Sequence, residues 1–157
     1  MDVRDALARP SVRLPGRRAL ALAVGDHLVI AAIVAYGIVD HHGAEKLQNA
    51  GEVLETVGPF VGGFFVAALV VGCYATDRHR TLLASLRSVL GAWFGGLGLG
   101  LVLRTWPEIE GGATWPFGLV ILGAVGSSLL AWRTIEHALR RWQSAPRDAP
   151  GREAPGE

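Results

Sequence analysis

Apolar positions gather into four long runs, at residues 19–39, 57–74, 82–103 and 114–132, separated by charged or turn-forming stretches. A helix needs about 20 predominantly apolar residues to cross the hydrocarbon of a bilayer, within a range of roughly 17–25, and all four runs reach that length. Lipid offers the backbone no hydrogen-bonding partner, so a spanning segment is a helix or part of a closed barrel. Barrel strands would read as shorter segments of alternating polarity, whereas these runs are continuous. The pattern predicts an all-α fold: a transmembrane antiparallel four-helix bundle over residues 19–135, with a basic segment at 1–18. The tail at 136–157 is rich in proline, glycine and charge, a composition that cannot bury a core, and is expected to be largely disordered.

The polar stretches set the orientation. Arg4, Arg9, Arg13, Arg17 and Arg18 precede the first run, and Arg133, Arg140, Arg141, Arg147 and Arg152 follow the fourth. The first connection holds Lys46 against Asp40, Glu45, Glu52 and Glu55, the second holds Arg78 and Arg80, and the third holds Arg104 with Glu108 and Glu110. Basic content thus alternates rich, poor, rich, poor, rich, which the positive-inside rule reads as both termini cytoplasmic, N-in/C-in. The first run exceeds the apolar core of about 7–15 residues in a signal peptide and is expected to remain as an anchor. The chain is therefore expected in the cell membrane as a multi-pass protein. In the first outer connection, Leu47, Ala50, Val53, Leu54 and Val57 recur at helical spacing, predicting a short amphipathic surface helix before the second span. Pro59 and Pro116 are expected in the first turns of their helices, where a missing N–H costs little.

Composition narrows the function classes. Of 157 residues, 50% are apolar and 18% charged, where a soluble domain carries about a quarter charged. A net charge of +1 is not that of a nucleic-acid-binding domain. Cys73 is the one cysteine, so neither a disulfide framework nor a multi-cysteine metal site is available. Catalytic signatures are absent. The glycine-rich "GGLGLG" at 95–100 lies inside an apolar run with no strand ahead of it, so it lacks the context of a nucleotide loop. We expect no enzyme activity, no catalytic residues, no cofactor and no metal.

Candidate chemistry lies in charges inside the runs. Asp26 sits about 10 Å in from residue 19 and Arg87 about 8 Å in from residue 82, at 1.5 Å of rise per residue. In the predicted topology both lie at similar depth from the same side. Alone, each would cost about 2.5–3.5 kcal/mol on insertion scales, so an intramembrane charge pair between Asp26 and Arg87 is expected. On helical azimuth, Ala19, Asp26, Ile33 and Gly37 form one stripe, and Arg87, Gly91, Phe94 and Gly98 the stripe expected to face it. Small residues at spacing four, Gly58–Gly62, Gly91–Gly95 and Gly96–Gly100, suit close helix packing. The pair reads as structural glue or as a charge relay; a third reading has Arg87 reaching to the headgroups and Asp26 protonated. His27, Trp93 and Arg104 are candidate interior polar or substrate contacts, Arg104 alternatively an interfacial anchor. His41 and His42 form a candidate outer-surface site, although adjacent histidines converge poorly on one metal ion.

Taken in order, "LALAVGDHLVI", "VDHHG", "GPFVGGFFVAALVVGCY", "SLRSVLGAWFGGLGLGLVLRTWPEIEGG", "WPFGLVILG" and "LLAWRTI" resemble the domain of unknown function 3054 family, short prokaryotic membrane proteins. The similarity covers about residues 20–135 and rests on Gly25–Asp26, His41 or His42, Pro59–Phe60, Arg87, Trp93, Arg104, Phe117 and Trp132–Arg133. The family's Pro-Phe-x-x-Gly-Trp reads "PFVGGF" here, with Phe64 in the tryptophan's place. The resemblance implies a four-helix membrane protein and no particular activity. The expected function is a structural or partner-binding bundle, its partners being the lipid bilayer and a second copy or another membrane protein. The alternative is a small oligomeric transporter or channel for an ion or small solute, using the same charged residues. An intramembrane enzyme is the third and weakest reading, since no nucleophile or metal set accompanies the charges.

Overall fold

The computed structural model describes residues 16–75, 81–105 and 115–144. Four helices account for nearly all of them: α1 (Arg17–His42), α2 (Ala50–Val71), α3 (Leu82–Arg104) and α4 (Trp115–Ser144), with a single 3-10 turn at Ala44–Gln48 after α1. Each helix is long and apolar enough to cross a membrane, and each contains one of the four apolar runs or most of it.

Helix boundaries depart from the apolar pattern in two places. Asn49 caps α2 by accepting a hydrogen bond from the Gly51 amide at 3.1 Å, while its own amide donates to Glu52 at 2.9 Å. That cap starts α2 at Ala50, so the expected amphipathic surface helix is not a separate element but the opening turns of α2. Pro59 consequently lies inside the helix rather than in its first turn, a position that leaves the carbonyl four residues earlier without its usual amide donor. At the other end of the chain, α4 runs on to Ser144, so residues 136–144 are helix rather than tail. Pro116 does lie in the first turn of α4. Most of the basic segment before α1, the arginines of the second connection at 76–80, the acidic third connection at 106–114 and the tail at 145–157 lie outside the described residues.

Packing centres on α2 against α3, where glycine permits near-contact of backbones. A Cβ at Gly63 would fall 2.5 Å from the Gly96 carbonyl oxygen, and one at Gly96 would fall 2.5 Å from Phe64 Cα. At Gly100 it would meet Phe60 Cδ1 at 2.8 Å. Of the small-residue pairs expected from sequence, Gly96–Gly100 is therefore the one that the close approach uses. Gly62 has open space around it, and Gly91 is exposed. The shared core draws on every helix: Ile30 and Val34 from α1, Phe60, Phe64 and Ala68 from α2, Val89, Ala92 and Trp93 from α3, and Val125 and Leu129 from α4. Trp93 donates its indole N–H to the Leu122 carbonyl at 3.2 Å, tying α3 to α4 and giving a fully buried polar atom the acceptor it requires.

Candidate functional site: a buried carboxylate–guanidinium pair

The buried stripe of α1 repeats at helical spacing through Leu22, Asp26, Ile30, Val34 and Ile38. An acid thus occupies a position that the helix otherwise reserves for core side chains. On α4 the stripe runs Ile121, Val125, Leu129 and Arg133, spaced four apart, and places a guanidinium in the same way. The two meet. Arg133 Nε donates to Asp26 Oδ1 at 3.0 Å and Nη2 to Oδ2 at 2.5 Å, a two-pronged contact with both side chains 0% exposed.

Two further guanidinium N–H groups are also engaged. Nη1 donates to the Ser85 hydroxyl at 3.2 Å and Nη2 to Cys73 Sγ at 3.3 Å, while the Tyr74 ring lies under the guanidinium at 5.8 Å. Cys73 and Tyr74 reach the site because of how α2 ends. Gly72 adopts the left-handed conformation (φ 68°), its amide bonds back to Leu69 and the Cys73 amide to Ala68, the Schellman arrangement that reverses the chain. This turn directs Cys73 inward. Ser85 comes from the first turn of α3, which Thr81 caps through the Ala84 amide. All four helices therefore supply or position a group around one ion pair. Beside it, Gly25 admits the Trp132 indole: a Cβ there would lie 2.2 Å from Trp132 Cζ2, so the doublets Gly25–Asp26 and Trp132–Arg133 interlock.

The expected Asp26–Arg87 pair is not formed. Arg87 is exposed, as are Gly91, Phe94 and Gly98 on its stripe, because the buried face of α3 runs instead through Ser85, Val89, Ala92, Trp93, Gly96 and Gly100. Asp26 has the interior partner that its depth demands, but it comes from α4. A signal for Arg133 was present: it falls four residues after Leu129 on the apolar stripe of the fourth run. Ending that run at residue 132 counted Arg133 among the flanking arginines and hid it.

Other candidate residues sit apart from the pair. His27 turns away from Asp26; its Nδ1 lies 2.6 Å from the Ala23 carbonyl and its ring packs on Phe64 and Phe65. At the end where α1 and α3 finish, a cavity of 780 Å³ brings together His41, His42 and Arg104 with Lys46, Glu52 and Glu55, over a floor that includes Ile38, Phe117 and Ile121. Arg104 is 7% exposed and its guanidinium stacks 5.2 Å from the Phe117 ring centre. Between this cavity and the ion pair lies an apolar layer that includes Ile30, Phe64, Trp93 and Val125, each 0% exposed. Among the described residues no three histidine, cysteine or acidic side chains converge as a metal site would require.

Chemically, the ion pair is closed. Two charges withdrawn from solvent carry a desolvation penalty of several kcal/mol each, offset only where geometry is good and the remaining donors are satisfied. The two-pronged contact and the bonds to Ser85 and Cys73 meet that condition. Among the described residues, neither Asp26 nor Arg133 lines the cavity beside Arg104 or the cleft beside Arg18.

The chain belongs to the family described as protein of unknown function (DUF3054), whose model matches residues 23–136. That segment contains Asp26, Cys73, Ser85 and Arg133. No curated protein and no solved structure matches the chain.

Proposed function

We propose that this chain is a multi-pass protein of the cell membrane, an antiparallel four-helix bundle with both termini cytoplasmic, whose role is structural or partner-binding, with Asp26–Arg133 as its internal lock. The contacts across helix pairs support the antiparallel arrangement. Along α2 and α3, Phe60 meets Gly100, Phe64 meets Gly96 and Ala67 meets Gly95, so one helix descends as the other climbs. Between α1 and α4, Asp26 meets Arg133, while Ile38 and His41 share a cavity with Phe117 and Pro116. The membrane reading is supported by the outward faces, where Leu28, Phe65, Val70 and Phe94 are 64%, 49%, 82% and 60% exposed. Apolar exposure on that scale belongs to a surface that meets lipid or a partner. The arginines at the start of α1 and the end of α4 support the orientation.

One observation carries the structural role: the ion pair is fully buried and every guanidinium nitrogen donates to a neighbouring side chain, so it holds helices rather than offering a path. The 780 Å³ cavity favours the alternative, a small-solute transporter, but the apolar layer beneath it separates it from the charges. Vesicle reconstitution distinguishes the two. The parent protein is expected to pass no proton or small-ion flux above empty vesicles, and Asp26→Asn to reduce assembled yield. Parent flux that disappears in Asp26→Asn, with assembly intact, would make the pair part of a route.

A further inference from the structure

The most concentrated positive charge among the described residues outside the ion pair lies where α1 begins and α4 finishes. The last two turns of α4 bring His137, Arg140, Arg141 and Ser144 to one side at helical spacing, and Arg18 of α1 completes a cleft of 440 Å³ with them. Arg18 lies within electrostatic reach of Arg140, Glu136 and Arg133. Among the described residues of these two helix ends, Glu136 is the only acid, against Arg17, Arg18, Arg140 and Arg141, and it already pairs with Arg140.

Helix stability accounts for only part of this charge. Cations at the end of α4 complement its macrodipole, but Arg17 and Arg18 stand at the positive end of α1, which has no acid in its first turn and no side-chain cap. The same two helix ends expose large apolar groups: Leu20 at 59%, Leu139 at 51% and Trp142 at 75%. A polar cleft of clustered cations beside exposed apolar surface matches a ligand with an anionic head and apolar tails. Basic pockets between spanning helices on the cytoplasmic side recognise phosphate-bearing lipid heads in this way.

We propose that the Arg18–His137–Arg140–Arg141 cleft binds the phosphate of an anionic phospholipid of the cytoplasmic leaflet. The site rests on the membrane reading above and is independent of the ion-pair lock. Its test uses the full chain purified in detergent, with bound lipid read by native mass spectrometry and stability by thermal unfolding. Dioleoylphosphatidylglycerol is expected to be retained and to raise the midpoint by about 5–10 °C at a hundredfold excess over its Kd. Dioleoylphosphatidylcholine and inorganic phosphate are expected to leave the midpoint unchanged. The triple variant R18Q/R140Q/R141Q should lose retention of the anionic lipid, while R18K/R140K/R141K keeps most of it. Should the glutamine triple not fold, Arg141→Gln alone, at an exposed position, is expected to weaken retention. Equal effects of the two lipids, a shift reproduced by inorganic phosphate, or undiminished retention in the glutamine variants would overturn the assignment. A parent chain absent from carbonate-washed membranes would instead remove the membrane reading itself.

Discussion

Asp26→Ala is expected to destabilise the protein by about 3–5 kcal/mol, because it leaves the Arg133 guanidinium buried without its counter-charge. With both side chains 0% exposed, no water is at hand to take over the lost contact. Ser85 and Cys73 would still accept hydrogen bonds, but neither carries the neutralising charge. Arg133→Ala is expected to cost a similar amount by stranding the carboxylate. Arg87→Gln should change stability by no more than roughly 0.5 kcal/mol, as exposed substitutions away from a network do. Replacing the pair together by apolar residues of like volume, Asp26→Leu with Arg133→Met, should recover most of the loss, since the cost lies in an unpaired buried charge. Thermal unfolding of the purified variants in one detergent checks all of these. Equal midpoints for the parent and Asp26→Ala would remove the lock.

Gly96→Ala carries the second large effect. Its new methyl would lie 2.5 Å from Phe64 Cα and 2.8 Å from Phe64 N, and backbone cannot swing aside as a side-chain tip can. Forcing α2 and α3 apart is expected to cost roughly 1–3 kcal/mol and to loosen the packing of Phe60, Phe64 and Trp93 between them. Gly98→Ala, only two residues away, meets nothing within 4 Å and should be neutral or slightly stabilising through helix propensity. The contrast, read by unfolding midpoints, separates close approach of helices from a general intolerance of larger residues on α3. Identical midpoints for the two variants would count against that close approach.

Much of this architecture was legible because continuous apolar runs leave the backbone few options. All four runs are helices, and Asp26 announced a partner simply by its depth. What was not legible was which face of each helix turns inward. Residues such as Phe94, Leu99 and Val102 on α3 are as apolar as Val89 and Leu97, yet the former are exposed and the latter buried. When lipid and core favour the same side chains, hydrophobic periodicity no longer identifies the interior, and the azimuth that matched Arg87 to Asp26 had nothing to anchor it. Glycine spacing was similarly ambiguous. Gly91–Gly95 and Gly96–Gly100 read alike and both border α2, but only the latter pair lies against its backbone at Pro59 and Phe64, whereas Gly95 meets the Ala67 Cβ and Gly91 the Val71 side chain. Arg133 escaped notice for a different reason: at the margin of an apolar run, an arginine reads as a headgroup anchor until the continuation of its helix to Ser144 shows it lies well inside.

The partner of Asp26 is most directly tested by a double-mutant cycle on Asp26→Asn and Arg133→Gln, measured beside a second cycle on Asp26→Asn and Arg87→Gln. For residues in one buried network, the first cycle should give a coupling of about 1–3 kcal/mol, while separated residues couple by no more than about 0.5 kcal/mol. Coupling to Arg133 with additivity at Arg87 is the predicted result. Additivity at Arg133, or coupling to Arg87 in its place, would contradict it.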